Sequence, residues 1–296
     1  MLTTKLPKPK LSLALLLAGS VVLGWHPLLA TLSLALHNDQ YTHILLILPL
    51  TAALIFLEWP SLQGTVAPTV GIGSALLATA VVAAVPTMVS TVSLSPDLQL
   101  SIRMFALVIC WIGACVLCLG SRIARALIFP LCFLFWLVPL PQIALAAVVT
   151  FLQQGSALSA HWLFAAAGVP VSQDGFILRI PGLSIEVAQE CSSIRSSSML
   201  LVTTMVLAQV LLRSPWRKAL VIAIAVPLSV AKNGLRIFTI AMLGSRVDPG
   251  YLTGRLHHQG GIIFFAIALG CIFALIWLLR RAENKETERA LLPRAL

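Results

Sequence analysis

Apolar runs of bilayer length, separated by short polar or basic loops, constrain this chain more than any other feature. They cover residues 11–36, 44–57, 66–89, 102–119, 126–138, 192–212, 219–243 and a last run that ends at Leu279. A helix needs about 20 apolar residues to cross a hydrocarbon core of about 30 Å. Lipid offers no water to unpaired backbone groups, so helices are the expected spanning form. The chain is 59% hydrophobic and 10% charged, where a soluble domain carries about a quarter charged residues. The predicted class is an all-α polytopic membrane protein: about eight transmembrane helices, one interfacial helix and a small outer β-meander. The net charge of +10 does not point to nucleic acid; it concerns which loops hold the Lys and Arg.

Lys5, Lys8 and Lys10 before residues 11–23 imitate a signal peptide, but no small-x-small cleavage site follows, so this is the expected first span. Trp25 and His26-Pro27 disturb its outer half. His37 and His43 belong to a polar interfacial loop. Glycine, alanine and serine in 66–89 suit close helix packing in lipid. Residues 126–138 begin a fifth span that Pro139-Leu-Pro141 breaks. Residues 142–168 are long enough to cross yet polar, with Gln142, Gln153, Gln154, Ser156, Ser159, His161 and Trp162. If they lie on the membrane surface, both termini are cytoplasmic, and thirteen of the 20 Lys and Arg fall inside. An interface-lying or re-entrant helix on the outer face is therefore expected. Asp174-Gly175 and Pro181-Gly182 are turn signals flanking 176–180 and 183–187, the one stretch that reads as β. Open strands cannot face lipid, so this meander lies in water or against protein.

The whole chain reads as one integral membrane domain: spans in 1–125, a core in 126–281, and a charged cytoplasmic tail, 282–296, expected to be disordered. Five of the 6 cysteines (Cys110, Cys115, Cys118, Cys132, Cys271) lie inside apolar runs as packing residues. Cys115 and Cys118 have redox or metal spacing but no further ligand nearby. No metal or cofactor is called for.

The sixth is different. Glu190-Cys191-Ser192-Ser193-Ile194-Arg195 opens a span, and in a helix Cys191 and Arg195 would share a face. A guanidinium beside a thiol favours thiolate. Asn233 and Arg236, three apart in the outer half of 219–243, share another face, while Lys232 sits off it and is expected to snorkel. His257-His258 precedes the last span. Cysteine and histidine form the minimal nucleophile–base pair for acyl transfer, and an arginine can hold the developing oxyanion. Two other readings use the same residues. In a small transporter, Arg195, Lys232 and Arg236 would bind an anion in a midplane cavity. In an export-complex component, Cys191 would be incidental.

The order and spacing of the motifs resemble the exosortase/archaeosortase family of membrane-embedded cysteine transpeptidases. The resemblance runs from about Phe129 to Phe265. It includes Phe129-Pro-Leu-Cys-Phe-Leu-Phe-Trp-Leu-Val-Pro-Leu-Pro141, Ala167-Gly-Val-Pro-Val171, the Asp174-Gly175 meander, Glu190-Cys191-Ser-Ser-Ile-Arg195-Ser196, Asn233-Gly-Leu-Arg236-Ile237, and His257-x-x-x-Gly261 with Phe264-Phe265. It implies Cys191 as nucleophile, Arg236 as essential arginine and His257 as histidine, with Arg195, Asn233, Glu190 and His258 in support. The gap to Gly261 favours His257 over His258. Ser193 stands where the family usually has glycine.

By the same resemblance the substrate is an exported protein with a C-terminal sorting signal: a short motif such as Pro-Glu-Pro, one transmembrane helix and a basic cluster. The implied act is its cleavage at the outer face of the cytoplasmic membrane and transfer to a surface glycan or lipid acceptor. The implied partners are this segment and the bilayer. Asp174, Arg179 and Glu186 on the meander are candidates to read the motif.

Overall fold

The computed structural model describes residues 9–59, 68–88, 93–187, 194–252 and 261–291. Among these, seven helices are long and apolar enough to cross a membrane. The bent pair Leu11–Leu23 and Trp25–His37 makes an eighth if it is one span. The protein is a mostly helical, multi-pass membrane protein with a small three-stranded sheet. Its contacts divide it into two units, Met1–Leu145 and Ala146–Leu296.

The first unit contains α1 (Pro9–Leu23), α2 (Trp25–His37), α3 (Ile44–Glu58), α4 (Val70–Ala84) and α5 (Pro96–Leu119). α1 and α2 meet at 69° around Gly24. Pro27 has no N–H to give the carbonyl of Leu23, so the helix cannot continue straight, as the sequence foretold. α5 is the hub, packed by α1, α2 and α4. A Cβ on Gly73 would stand 2.6 Å from the Leu117 Cα, which shows how closely α4 approaches it.

The expected fifth span is broken further than foreseen. After α6 (Ser121–Ala126), it comprises α7 (Ile128–Phe133) and a 3-10 turn, Leu134–Leu137. Pro130 cannot donate to the Ala126 carbonyl, so the helix restarts at Ile128. The apolar piece Ile128–Leu137 rises only about 15 Å. The segment still runs antiparallel to α5, since Ser101 Oγ donates to the Pro139 carbonyl at 2.8 Å and the Phe105 and Phe135 rings lie 5.6 Å apart.

Helix α8 (Gln142–Ala166) leads into the second unit. α8 is among the helices long and apolar enough to cross. Of its polar residues, Gln153 and Ser156 are buried, Ser156 being bonded to α10 (Pro215–Arg246), while Gln142, Gln154 and Trp162 are exposed. A Cβ on Gly155 would stand 2.8 Å from Val230, and one on Gly234 would overlap the Ser159 side chain. The Phe164 and Phe238 rings lie 5.0 Å apart. These contacts run in register along both helices.

The meander forms as expected: β1 (Ser172–Asp174), β2 (Ile177–Ile180) and β3 (Leu183–Glu186), antiparallel and in that order. Gly175 and Gly182 carry φ of 57° and 79° at the two turns, values that only glycine adopts freely. Leu178, Ile180 and Val187 are buried against Ala157, Ala160 and Phe164 of α8 and Ile237 and Ala241 of α10. The sheet therefore rests on protein.

α9 (Ile194–Leu211), α10 and α11 (Gly261–Leu291) share a second core around Leu200, Val221 and Ile272. The disorder expected of 282–296 is corrected for residues 282–291; the remainder lies outside the described residues. α11 continues to Leu291, and Glu283 accepts from the backbone N–H of Arg213 (3.1 Å) and Ser214 (2.9 Å). Arg217 lies 3.6 Å from Glu283 and 2.5 Å from Glu286. An ion pair with its first helical turn bound to the α9–α10 connection holds the tail as helix.

Candidate functional site

Four expected site residues, Glu190, Cys191, His257 and His258, lie outside the described residues. Chain connectivity puts Cys191 three residues before α9 and His257 four before α11. The described residues fix the neighbourhood of those two helix starts.

α9 runs antiparallel to α10. Ser229 Oγ donates to Ser197 Oγ at 2.6 Å, and Lys232 Nζ donates to Ser196 Oγ, one turn further along. α11 is antiparallel to α10 as well, because its Glu283 meets Arg217 near the opposite end. Hence α9 and α11 both begin at the end of the unit where α10 finishes. Asn233 and Arg236 lie on that half of α10.

Asn233 is buried, 1% exposed, and its Nδ2 donates to Ser156 Oγ of α8 at 2.9 Å. One level away, Gln153 Nε2 donates to the Val187 carbonyl at 2.8 Å. That bond ties the end of the meander to α8. Such interhelical bonds in lipid are each worth about 0.6 kcal/mol, so the ladder positions more than it stabilises. Gly234 admits the close α8 approach that the Asn233–Ser156 bond requires.

One turn beyond Asn233, Arg236 is half-buried. The two line a cavity of about 240 Å³ with residues 183–187 of the meander and Ile237, Ile240 and Ala241 of α10. The walls are mostly apolar. The shared face expected of Asn233 and Arg236 is thus found, and it faces this cavity.

Other expected residues fall elsewhere. Arg195, in the first turn of α9, is exposed and does not line the cavity. Lys232, expected to snorkel, is instead buried at 6% exposure and bonded to Ser196, a correction that follows from the hydroxyls of α9 lying opposite it. Arg179 and Asp174 form a pair at 3.7 Å with side chains 57% and 76% exposed, a solvated contact worth little. Sequence reasoning missed Gln153, Ser156, Ser196 and Ser197 as positioning partners. The visible signal was their polarity within otherwise apolar helices. Among the described residues, no group of three or more His, Cys, Asp or Glu is placed to hold a metal.

No curated protein and no solved structure matches the chain. A family model does: the transmembrane exosortase model covers residues 32–274, well over half of the sequence and the whole of the cavity just described. On that coverage, the chain belongs to the transmembrane exosortase family.

Proposed function

We propose that this protein cleaves the C-terminal sorting signals of exported proteins with Cys191 as nucleophile and hands the new C-terminus to a surface acceptor. The coarser part follows from the family: exosortases are membrane enzymes that process PEP-CTERM sorting signals by cysteine-dependent transpeptidation. In the proposed mechanism, the Cys191 thiolate attacks the scissile carbonyl and the guanidinium of Arg236 stabilises the oxyanion that forms. The C–N bond then breaks as His257, carrying the thiol's proton, protonates the leaving amine. A thioester remains on Cys191. An acceptor hydroxyl or amine attacks it, giving up its proton to His257, and the thiol is restored. His258 is the alternative base, and Glu190 and Arg195 flank the nucleophile in supporting roles.

One observation carries this assignment. Arg236 lines a cavity with β3, and from Val187 the chain reaches Cys191 in four residues, a span of at most about 14 Å. The proposed placement is the outer face of the cytoplasmic membrane, with both termini inside. In support, the basic α9–α10 connection and the basic end of α11 share one end of the bundle through Arg217 and Glu283, as expected of a cytoplasmic side.

The test is C-terminal processing of a protein ending in motif, helix and basic cluster. Cys191→Ser should abolish it, as should His257→Ala, with His258→Ala far milder. Full processing by Cys191→Ser would remove the enzyme assignment.

A further inference from the structure

Among the described residues, no strand pairs with the edge of the meander beside the cavity. Val187 N–H donates to the Phe176 carbonyl at 2.9 Å, and the register pairs Ile180 with Leu183 and Leu178 with Ile185. Alternation along an antiparallel ladder then turns the N–H and C=O of Leu183, Ile185 and Val187 toward β2. Those of Ser184 and Glu186 turn the opposite way. β3 is the last strand of the sheet, and among the described residues no donor or acceptor meets these four outward groups. They recur every second residue, about 6.8 Å apart, a spacing that only another extended chain matches. An open edge of this kind is a template for strand addition.

The same five residues of the meander that carry this edge line the cavity with Asn233 and Arg236. Among the described residues, Arg236 is the one cation of its lining, and the lining carboxylate, Glu186, belongs to the exposed face of the strand, opposite Leu183 and Ile185, which pack toward the core. A positive group at one end of an apolar groove, beside a row of backbone donors and acceptors, complements the carbonyl oxygens of an incoming peptide. At about 240 Å³, the space takes a short stretch of chain, not a folded partner.

We propose that β3 is the docking strand of the substrate: an extended segment of the substrate polypeptide pairs with Ser184 and Glu186 as a fourth strand and runs along the cavity to Arg236. This deepens the sorting-enzyme reading and rests on it. Recognition is then carried by alternate backbone amides of the substrate.

The experiment uses the full-length enzyme in lipid nanodiscs and a synthetic sorting-signal peptide whose amides are N-methylated one at a time. Methylation at alternate positions should raise KM about tenfold, the loss of one to two hydrogen bonds, while intervening positions tolerate it. Ser184→Pro and Glu186→Pro each remove an outward N–H without touching the β2–β3 ladder, and should raise KM similarly with a smaller change in kcat. If the proline variants do not fold, the methylation scan on unaltered enzyme decides alone. Cys191-dependent cleavage with no alternation in the scan overturns the docking strand and leaves the enzyme assignment standing. Cleavage of the unmodified peptide that does not depend on Cys191 overturns both.

Discussion

The two ends of α10 both bury cations, and they hold them in opposite ways. Near its start, Arg217 is 5% exposed and faces two carboxylates, Glu283 and Glu286, which also fix the connection to α9 and the end of α11. Toward its finish, Lys232 and Asn233 are held by the hydroxyls of Ser196 and Ser156, and Arg236 opens onto a cavity. A cation matched by acids has its field cancelled and serves to fasten helices together. Lys232 is bonded to a hydroxyl, and Arg236 lines the cavity where the proposed oxyanion would form. On that proposal one helix carries a structural end and a chemical end, and perturbing each should give a different readout.

The largest expected effect is at the structural end. Arg217→Met leaves the buried Glu283 carboxylate without its counter-charge, a loss of about 3–5 kcal/mol. It should appear as a fall in Tm in detergent, with the folded fraction still active. At the chemical end, Arg236→Ala should lower kcat/KM about a hundred- to a thousandfold with little change in Tm. Arg236→Lys should restore only part of it, because a point charge does not replace the planar fork. A Tm loss for Arg236→Ala as large as for Arg217→Met would erase the contrast. Gly234→Ala, which drives a methyl into Ser159, should cost about 1–3 kcal/mol and lower activity as well, because the Asn233–Ser156 bond is displaced. Ser229→Ala should be the mildest, about 0.6 kcal/mol, measured by the same thermal unfolding.

Much of this layout was legible in the sequence. Glycines at Gly175 and Gly182 announced the two meander turns because their φ values exclude most other residues. Spacing alone put Asn233 and Arg236 on one face, since three residues bring side chains round nearly a full helical turn. Pro27 announced the break after α1. Pro130 carried the same physics but sat within a run whose hydropathy masked it, so the break at Leu127 was not foreseen. Lys232 was misplaced because its environment is set by serines of another helix, and no local pattern reports a partner 36 residues away. The tail was misjudged for a similar reason. A charged segment is disordered only when its charges find no partners, and Glu283 finds Ser214 and Glu286 finds Arg217, each 69 residues earlier. The polarity of 142–168 was read as contact with water, when Gln153 and Ser156 are turned toward protein.

Sidedness sharpens the comparison further. Cys191 should react with a membrane-impermeant alkylating reagent added to intact cells, with Cys191→Ser as the blank, and an engineered cysteine at Arg289 should not. Reversal of the two would place the chemical end of α10 in the cytoplasm.

The most direct measurement is the covalent intermediate itself. Enzyme mixed with a sorting-signal substrate in the absence of acceptor, quenched in acid and digested, should yield a Cys191 peptide whose mass has grown by the substrate fragment N-terminal to the cut. Hydroxylamine should remove it as a thioester. Cleaved substrate with no adduct on Cys191, or an equal yield of cleaved product from Cys191→Ser, would contradict the account.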